Sequence, residues 1–266
     1  TCMPHNTKLV AIINLTPDSF SDGGRFVDPF QAINAIRQAM DDGASVIDIG
    51  AESTRPGAQP ISHEEEWERL LPVLGAIRNL RRPGVEFSLD TRHARTAKRA
   101  LAYGVDWIND VSGFAAPVMV QAVAASNCKL VVMHSLSVPA DKAIVLPAAC
   151  DPVAKLLSFA DRRFDELMRA GIRHDRLIFD PGIGFGKTPA QSKEILSRAE
   201  ELKVLGVPIF IGHSRKSFLD VGDSTVARDA ATLLASRGLA RKGVDYLRVH
   251  NVVLHRQMLE ALLSDA

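Results

Sequence analysis

Neither sign of charge dominates this chain: 32 basic against 31 acidic side chains leave a formal net charge of +1 over 266 residues. That excludes the basic excess of a nucleic-acid surface and the acidic excess of a solvating, disordered chain. Cysteine is scarce. Cys2, Cys128 and Cys150 are odd in number and have neither metal nor redox spacing, which suits a reducing compartment. No apolar run approaches the length needed to span a membrane. The first residues carry neither a basic stretch nor an apolar one, so a cytoplasmic enzyme is expected. The chain starts at Thr1 rather than Met, which leaves room for residues upstream. No His, Cys and carboxylate set has structural zinc spacing, and His63, His93 and His255 read as surface residues. Linkers, composition shifts and low-complexity tracts are also absent, so residues 1–266 are expected to form a single domain.

The composition is that of an ordinary globular protein, 46% hydrophobic and 24% charged, and the length suits one α/β barrel. Strand-like apolar runs fall at 10–15, 46–50, 86–90, 107–111, 130–134, 177–180, 208–212 and 246–250. Helix-like segments lie between them, at 29–42, 63–79, 92–103, 115–126, 150–170, 189–204, 225–242 and 252–263. End signals support several of these. Pro29 follows Asp28, Gly43 stops the first helix, and Ser62 with Glu65 makes a capping box. Alternating strands and helices fit a single (β/α)8 TIM barrel or a doubly wound open sheet. Polar clusters after nearly every strand favour the barrel, because an open sheet concentrates them at its switch point.

Those clusters carry the chemistry. The first loop holds Asn14, Thr16, Asp18, Ser19, Phe20, Ser21, Asp22 and paired glycines, and reads either as a lid over a site or as a solvated turn. The second holds Glu52, Ser53, Thr54, Arg55 and Pro56. Arg55 there suits an anion or a structural pair with an acid such as Glu52. Asp90 after the third strand reads, taken alone, as an N-cap for a helix starting near Arg92. Asn109 lies in the fourth strand, and Met133 and His134 close the fifth, where packing is the commoner role for both. Residues 135–147 have no periodicity and read as a loop over the barrel mouth. Loops after strands seven and eight, the habitual phosphate site of such barrels, supply Arg215, Lys216, Arg248 and His250.

The segment around Asp180 imitates two nucleotide motifs. Gly182, Gly184, Gly186, Lys187 and Thr188 suggest a P-loop, but Pro181 stands where its first glycine belongs. The dinucleotide fingerprint fails as well, since its third glycine comes one residue early. What remains is a buried carboxylate, Asp180, at the end of a parallel strand. Such a group is costly unless a specific donor meets it. Several oxygen ligands beside an anionic substrate leave room for Mg2+.

Taken together, these blocks resemble the dihydropteroate synthases. The matching stretches are Asn14 with 16–24, then 48–57, 88–91, 109–113, 180–187, 214–216 and 248–250, in the family's order. The resemblance implies a TIM barrel that joins (7,8-dihydropterin-6-yl)methyl diphosphate to 4-aminobenzoate in folate synthesis, commonly as a homodimer. It implies pterin contacts from Asp90, Asn109, Asp180 and Lys216, with Met133 and Gly212 also among the substrate-binding residues. Asn14, Thr54, Arg55, Arg248 and His250 would hold the diphosphate, with Asn14 on Mg2+. Phe20, Pro56, Phe185, Lys216 and Ser217 would line the aminobenzoate pocket. The catalytic set would be Asp22, Arg55, Asp90, Asp180 and Lys216. Asn251 departs from the pattern, since many members carry Asp there. Lys187 is left as a structural residue.

Three other readings compete. A pterin-binding methyltransferase shares the barrel but lacks the Thr16–Phe20 loop and the anion groups. A non-catalytic pterin binder would not need Asp22, Arg55, Lys216 and His250. A sugar-phosphate aldolase wants a Schiff-base Lys on a central strand, and the buried run after Lys129 is apolar until His134.

Overall fold

A computed structural model of the protein describes residues 7–16, 28–54, 57–219, 221–222 and 224–264. Strands β1 (Lys8–Asn14), β2 (Val46–Gly50), β3 (Glu86–Asp90) and β4 (Trp107–Asp110) are followed by β5 (Lys129–Met133), β6 (Leu177–Asp180), β7 (Phe210–Ile211) and β8 (Tyr246–Val249). After each strand comes one helix: α1 (Pro29–Asp41), α2 (His63–Leu80), α3 (Ala94–Leu101), α4 (Pro117–Ala124), α5 (Pro152–Arg169), α6 (Pro189–Ser197), α7 (Thr225–Arg241) and α8 (Val252–Ser264). All strand pairs are parallel, in the order β6-β5-β4-β3-β2-β1-β8-β7. The ends of this sheet meet where Phe179 bridges Ile209, its N–H donating to the Pro208 carbonyl at 2.9 Å. The chain is therefore a (β/α)8 barrel, and the open sheet is excluded. β7, Phe210–Ile211, is shorter than the expected 208–212; at its start Pro208 has no N–H to give a ladder.

Side chains alternate between the barrel interior and the helix layer. Val10, Val46, Trp107, Val131, Ile178, Phe210 and Tyr246 form their own buried cluster, one residue from each strand except β3. This is the apolar floor of the barrel, where the Trp107 and Tyr246 rings meet edge-on at 4.9 Å. Residues one step out of phase, such as Ile47, Leu89, Val132, Phe179 and Leu247, join the larger core beneath the helices. A fully buried side chain of this kind contributes roughly 1.5–3 kcal/mol before entropy is counted. Two residues beyond the floor the interior-facing positions become polar: Asp48, Asn109, Asp180 and Arg248, with Met133 and Gly212. On β3, Ser88 pairs in register with both Asp48 and Trp107, and Asp90 follows it.

Local chemistry explains the helix ends and corrects some expectations. Asp28 caps α1 by accepting from the Phe30 N–H at 2.9 Å. Ser62 caps α2 at 3.1 Å, but the Glu65 carboxylate turns to Arg69 at 2.6 Å instead of completing the box. The complete capping box is Thr188 with Gln191, at the start of α6. α3 begins at Ala94, two residues later than expected, and Asp90 does not cap it; Thr91 Oγ1 accepts the His93 N–H at 3.1 Å. α6 ends at Ser197 and a 3-10 helix, Ala199–Leu205, takes over. The Arg198 N–H there is shared by the Glu194 and Ile195 carbonyls, a tightening common at helix ends. His255 is no surface residue: it is 1% exposed, with Nε2 2.9 Å from Ser236 Oγ and Nδ1 2.7 Å from the Asn251 carbonyl. His63 and His93 are half-buried. No helix of the described residues is long and apolar enough to cross a membrane.

Candidate active site

Above the apolar floor, Asp48, Asp90, Asn109 and Arg248 form one bonded group. Arg248 Nε donates to Asp48 Oδ2 at 2.6 Å, and its Nη2 donates to Asp90 Oδ2 at 3.1 Å. The same Asp48 oxygen accepts from Asn109 Nδ2 at 3.2 Å. The Asp48 side chain is 0% exposed, whereas those of Asp90 and Arg248 are 17% and 21% exposed at the inner rim. Gly50 makes room for Asp90, since a Cβ there would lie 3.2 Å from the Asp90 Cβ. Gly212 lies beside the Arg248 side chain, and Met133 is buried on β5.

The second group is built on the turn after β6. Asp180 Oδ1 accepts the Gly182 N–H at 2.7 Å. Gly182 has φ +64°, and a Cβ on it would fall 1.9 Å from the His134 carbonyl, so only glycine fits between these loops. Lys216 Nζ donates to the Ile183 carbonyl and sits 5.0 Å from the centroid of the half-buried Phe185 ring. Lys187 is buried, with its Nζ 2.7 Å from His134 Nδ1 and donating to the carbonyls of His134, Gly182 and Phe185 at 3.1, 2.9 and 2.9 Å. It ties the turn together. The loop at 135–147 is stitched to its neighbours, Ala140 N–H to the Thr54 carbonyl at 3.2 Å and Leu146 N–H to the Gly186 carbonyl at 2.9 Å.

Other expected residues stand around the mouth. Asn14 ends β1 in register with Gly50, and Thr54 is half-buried after β2. His250 Nδ1 lies 2.8 Å from Ser214 Oγ, which accepts the His250 N–H at 3.2 Å. Ser217 is exposed at the start of a 3-10 turn, Ser217–Leu219. Phe20, Asp22, Arg55 and Pro56 lie outside the described residues. Arg215, expected at the anion site, forms a bidentate pair with Asp229 on α7, at 2.6 and 2.9 Å. Glu52 pairs with Arg92, at 2.7 Å to each of its two oxygens. Asn251 donates to Asp229 at 3.3 Å and accepts the Leu254 N–H at 3.2 Å, a helix-end role.

Burial sets the protonation of this site. Burial, then the charge of Asp48, push the Asp90 carboxyl up to about 8, against the pull of Arg248. Burial also raises Asp180, opposed by Lys216 and the Gly182 N–H. Burial brings Lys216 down to about 8 although Asp180 favours its charged form. Burial opposes charge on Arg248 too, but Asp48 and Asp90 outweigh it and hold the guanidinium charged. The site therefore offers a neutral acid, ready acceptors for ligand N–H groups, and two cations.

Asp48 and Ser88 were not singled out from sequence. The available signal was a carboxylate in mid-strand at the interior phase, two residues after the floor residue Val46, where burial without a partner is costly. Among the described residues, Asp48 Oδ1, Ser88 Oγ and Asn109 Oδ1 are buried without a hydrogen-bond partner.

Known proteins share this arrangement. A family model described as pterin binding enzyme matches residues 10–250. The chain is 39% identical over 253 residues to a probable bifunctional folylpolyglutamate synthase/dihydropteroate synthase of Haloferax volcanii, covering 92% of this chain and 29% of that relative. The chain thus spans under a third of that protein's length. It is 40% identical over 247 residues to the type-2 dihydropteroate synthase of Escherichia coli, covering 91% of this chain and 90% of that one. Among solved structures, the Anaplasma phagocytophilum dihydropteroate synthase with bound 6-hydroxymethylpterin-monophosphate superposes with a TM-score of 0.88 at 37% identity, covering 98% of this chain and 99% of that one. The Xanthomonas albilineans dihydropteroate synthase with 4-aminobenzoic acid gives 0.89 at 33% identity, covering 97% and 93%. The chain belongs to the pterin-binding enzyme family, among the dihydropteroate synthases.

Proposed function

We propose that this chain condenses (7,8-dihydropterin-6-yl)methyl diphosphate with 4-aminobenzoate, giving 7,8-dihydropteroate and diphosphate. The observation that carries the reading is the polar interior layer directly above an apolar floor: Asp90, Asn109, Asp180, Lys216 and Arg248 converge there. A pterin edge presents N–H donors for the carboxylates and a carbonyl for Lys216. Arg248 commits two donors to Asp48 and Asp90, leaving others of its five N–H groups for phosphate oxygens. Asn14, Thr54 and His250 at the same rim supply further contacts.

The reaction divides into departure and attack. The bond from the methylene carbon to the diphosphate oxygen breaks first, its electron pair leaving with the diphosphate toward Arg248 and His250. Asp180, and Asp90 once deprotonated, favour the resulting pterin methylene cation. The neutral aromatic amine then bonds to that carbon from the side of Phe185 and Lys216, with Ser217 meeting its carboxylate, and the ammonium so formed loses its extra proton to water. Asp22 and Arg55 complete the proposed catalytic set.

Among the described residues no cluster of His, Cys or acidic side chains could hold a metal by itself. Mg2+ commonly keeps water and takes substrate phosphate oxygens, so a single protein oxygen from Asn14 fits a metal carried on the diphosphate. When bound, it would neutralise charge on the leaving group. A homodimer is supported by exposed apolar residues on the last two helices, Val226, Leu234 and Leu263. A cytoplasmic location is supported by the free thiols Cys128 and Cys150.

A coupled diphosphate-release assay tests the reading. Release with both substrates and with neither alone supports it. No release with both would leave a passive pterin binder, and methyl transfer from methyltetrahydrofolate would make it a methyltransferase.

A further inference from the structure

The shape of an Asn side chain barely distinguishes its two ends, so an Asn can read a ligand edge in either sense unless a neighbour fixes it. Asn109 has such a neighbour. Its Nδ2 donates to Asp48 Oδ2 at 3.2 Å. The reverse orientation would set the amide oxygen against that carboxylate oxygen, two acceptors face to face. Asp48 cannot yield: it is 0% exposed, held in register between Ile12 and Ser88, and the same oxygen accepts Arg248 Nε at 2.6 Å. The consequence is seen on the other end of the amide, where Asn109 Oδ1 is buried without a partner among the described residues.

We propose that Asp48 is a positioning residue that fixes the Asn109 amide with its oxygen toward the ligand, and so determines which pteridine edge the site accepts. The proposal rests on the pterin reading above. With the amide fixed, Asn109 presents an acceptor next to the remaining amide N–H. That matches the 2-amino group and unprotonated N1 of a pterin. A pteridine-2,4-dione reverses the pattern, with a carbonyl at C2 and a hydrogen on N1. Asp48 thereby acts on specificity through Asn109.

Calorimetry with 6-hydroxymethylpterin and its 2,4-dione counterpart tests this on the wild type, Asp48→Ala, Asp48→Asn, Asn109→Ala and Asp48→Ala/Asn109→Ala. Asp48→Ala should lower the preference for the amino compound about tenfold, the scale of one mismatched buried hydrogen bond. Asp48→Asn keeps an oxygen where both donors point and should restore most of that preference. In the Asn109→Ala background Asp48→Ala should change the preference no further. Should Asp48→Ala lose its circular dichroism, Asp48→Ser, whose hydroxyl is too short to reach the amide, replaces it with the same expectations. An unchanged preference in Asp48→Ala, or an equal shift with and without Asn109, overturns the proposal. Failure of the wild type to bind either pteridine would instead overturn the pterin reading.

Discussion

Arg248→Ala should destabilise the fold by about 3 kcal/mol at pH 7, the low end for removing one partner of a buried pair. Two features set that position in the range. Asp48 is 0% exposed and would keep only the Asn109 amide as a donor, so it bears the full cost of an unpaired carboxylate. Asp90 bears little, because its carboxyl already sits up at about 8 and escapes by keeping its proton. Arg248 is what holds that value down, so without it the folded state binds protons more tightly still. A folded state that holds more protons than the unfolded one loses stability as pH rises. The deficit of the variant relative to wild type should therefore grow from pH 5.5 to pH 8. Urea unfolding at both values measures it. The Asp48→Asn background should recover part of the loss, since a neutral amide needs no cation. A deficit below about 1 kcal/mol, well under what an uncompensated buried charge costs, would refute the reasoning. So would a pH-independent deficit or an equal one in the Asp48→Asn background.

Pterin binding at pH 7 should release close to one proton, because ligand N–H donors favour the ionised form of Asp90, whose carboxyl is otherwise pushed up to about 8. Lys216, also at about 8, takes up only a small fraction. The binding enthalpy should then follow the ionisation enthalpy of the buffer and stop doing so in Asp90→Asn; equal enthalpies in phosphate and Tris would sink the idea. Glu52→Gln should lose about 3 kcal/mol at pH 7, from the depression of Glu52 from 4.5 to about 2. Burial would raise that carboxyl, but the nearby His93 ring, 3.7 Å away, and hydrogen bonds from Arg92 and the Ile61 N–H pull it down, so its contribution is present above pH 4.5 and lost as pH falls toward 2. Acid unfolding of the variant should be flatter; an identical acid limb argues against the pair. Gly182→Ala should force the β6 turn off the His134 carbonyl and cost more than about 3 kcal/mol, through a left-handed φ and a clash. Its melting temperature checks this, and a melt like the wild type would mean the two loops are not packed together.

The barrel was legible because each strand is a short apolar run and each site residue a polar interruption at or near its end. Where side-chain direction decided the role, sequence was weaker. Asp90 read as an N-cap because caps and ligand carboxylates use the same residue type; only the barrel shows it reaching Arg248 across 158 positions of sequence. Arg215 stands beside Lys216, yet their paths diverge. Arg215 takes φ +56° and turns to Asp229, while Lys216 turns inward to the Ile183 carbonyl. A loop sequence does not encode which of two adjacent cations meets a helix acid 14 residues on. The bonds joining 135–147 to Thr54 and Gly186 are backbone contacts, which composition does not signal.

The charged groups of the site already have hydrogen-bond partners within the protein. Among the described residues Arg248 is paired with Asp48 and Asp90, Asp180 with the Gly182 N–H, and Lys216 with the Ile183 carbonyl, while Asp48 Oδ1, Ser88 Oγ and Asn109 Oδ1 have no partner. A ligand must then replace bonds rather than fill bare charges, and its gain is the difference between two bonded states. That difference favours a molecule carrying donors for Asp90 and Asn109, an acceptor for Lys216 and an anion for Arg248. A plain phosphate supplies only the last of these. It would compete with Asp48 and Asp90 for the guanidinium without compensating either carboxylate. Such a site should hold inorganic phosphate or diphosphate weakly when the pterin is absent and more tightly when it is present. Charge pairing thus gives the two parts of the substrate different roles: the pterin portion anchors it, and the diphosphate is held firmly only while the pterin stays in place.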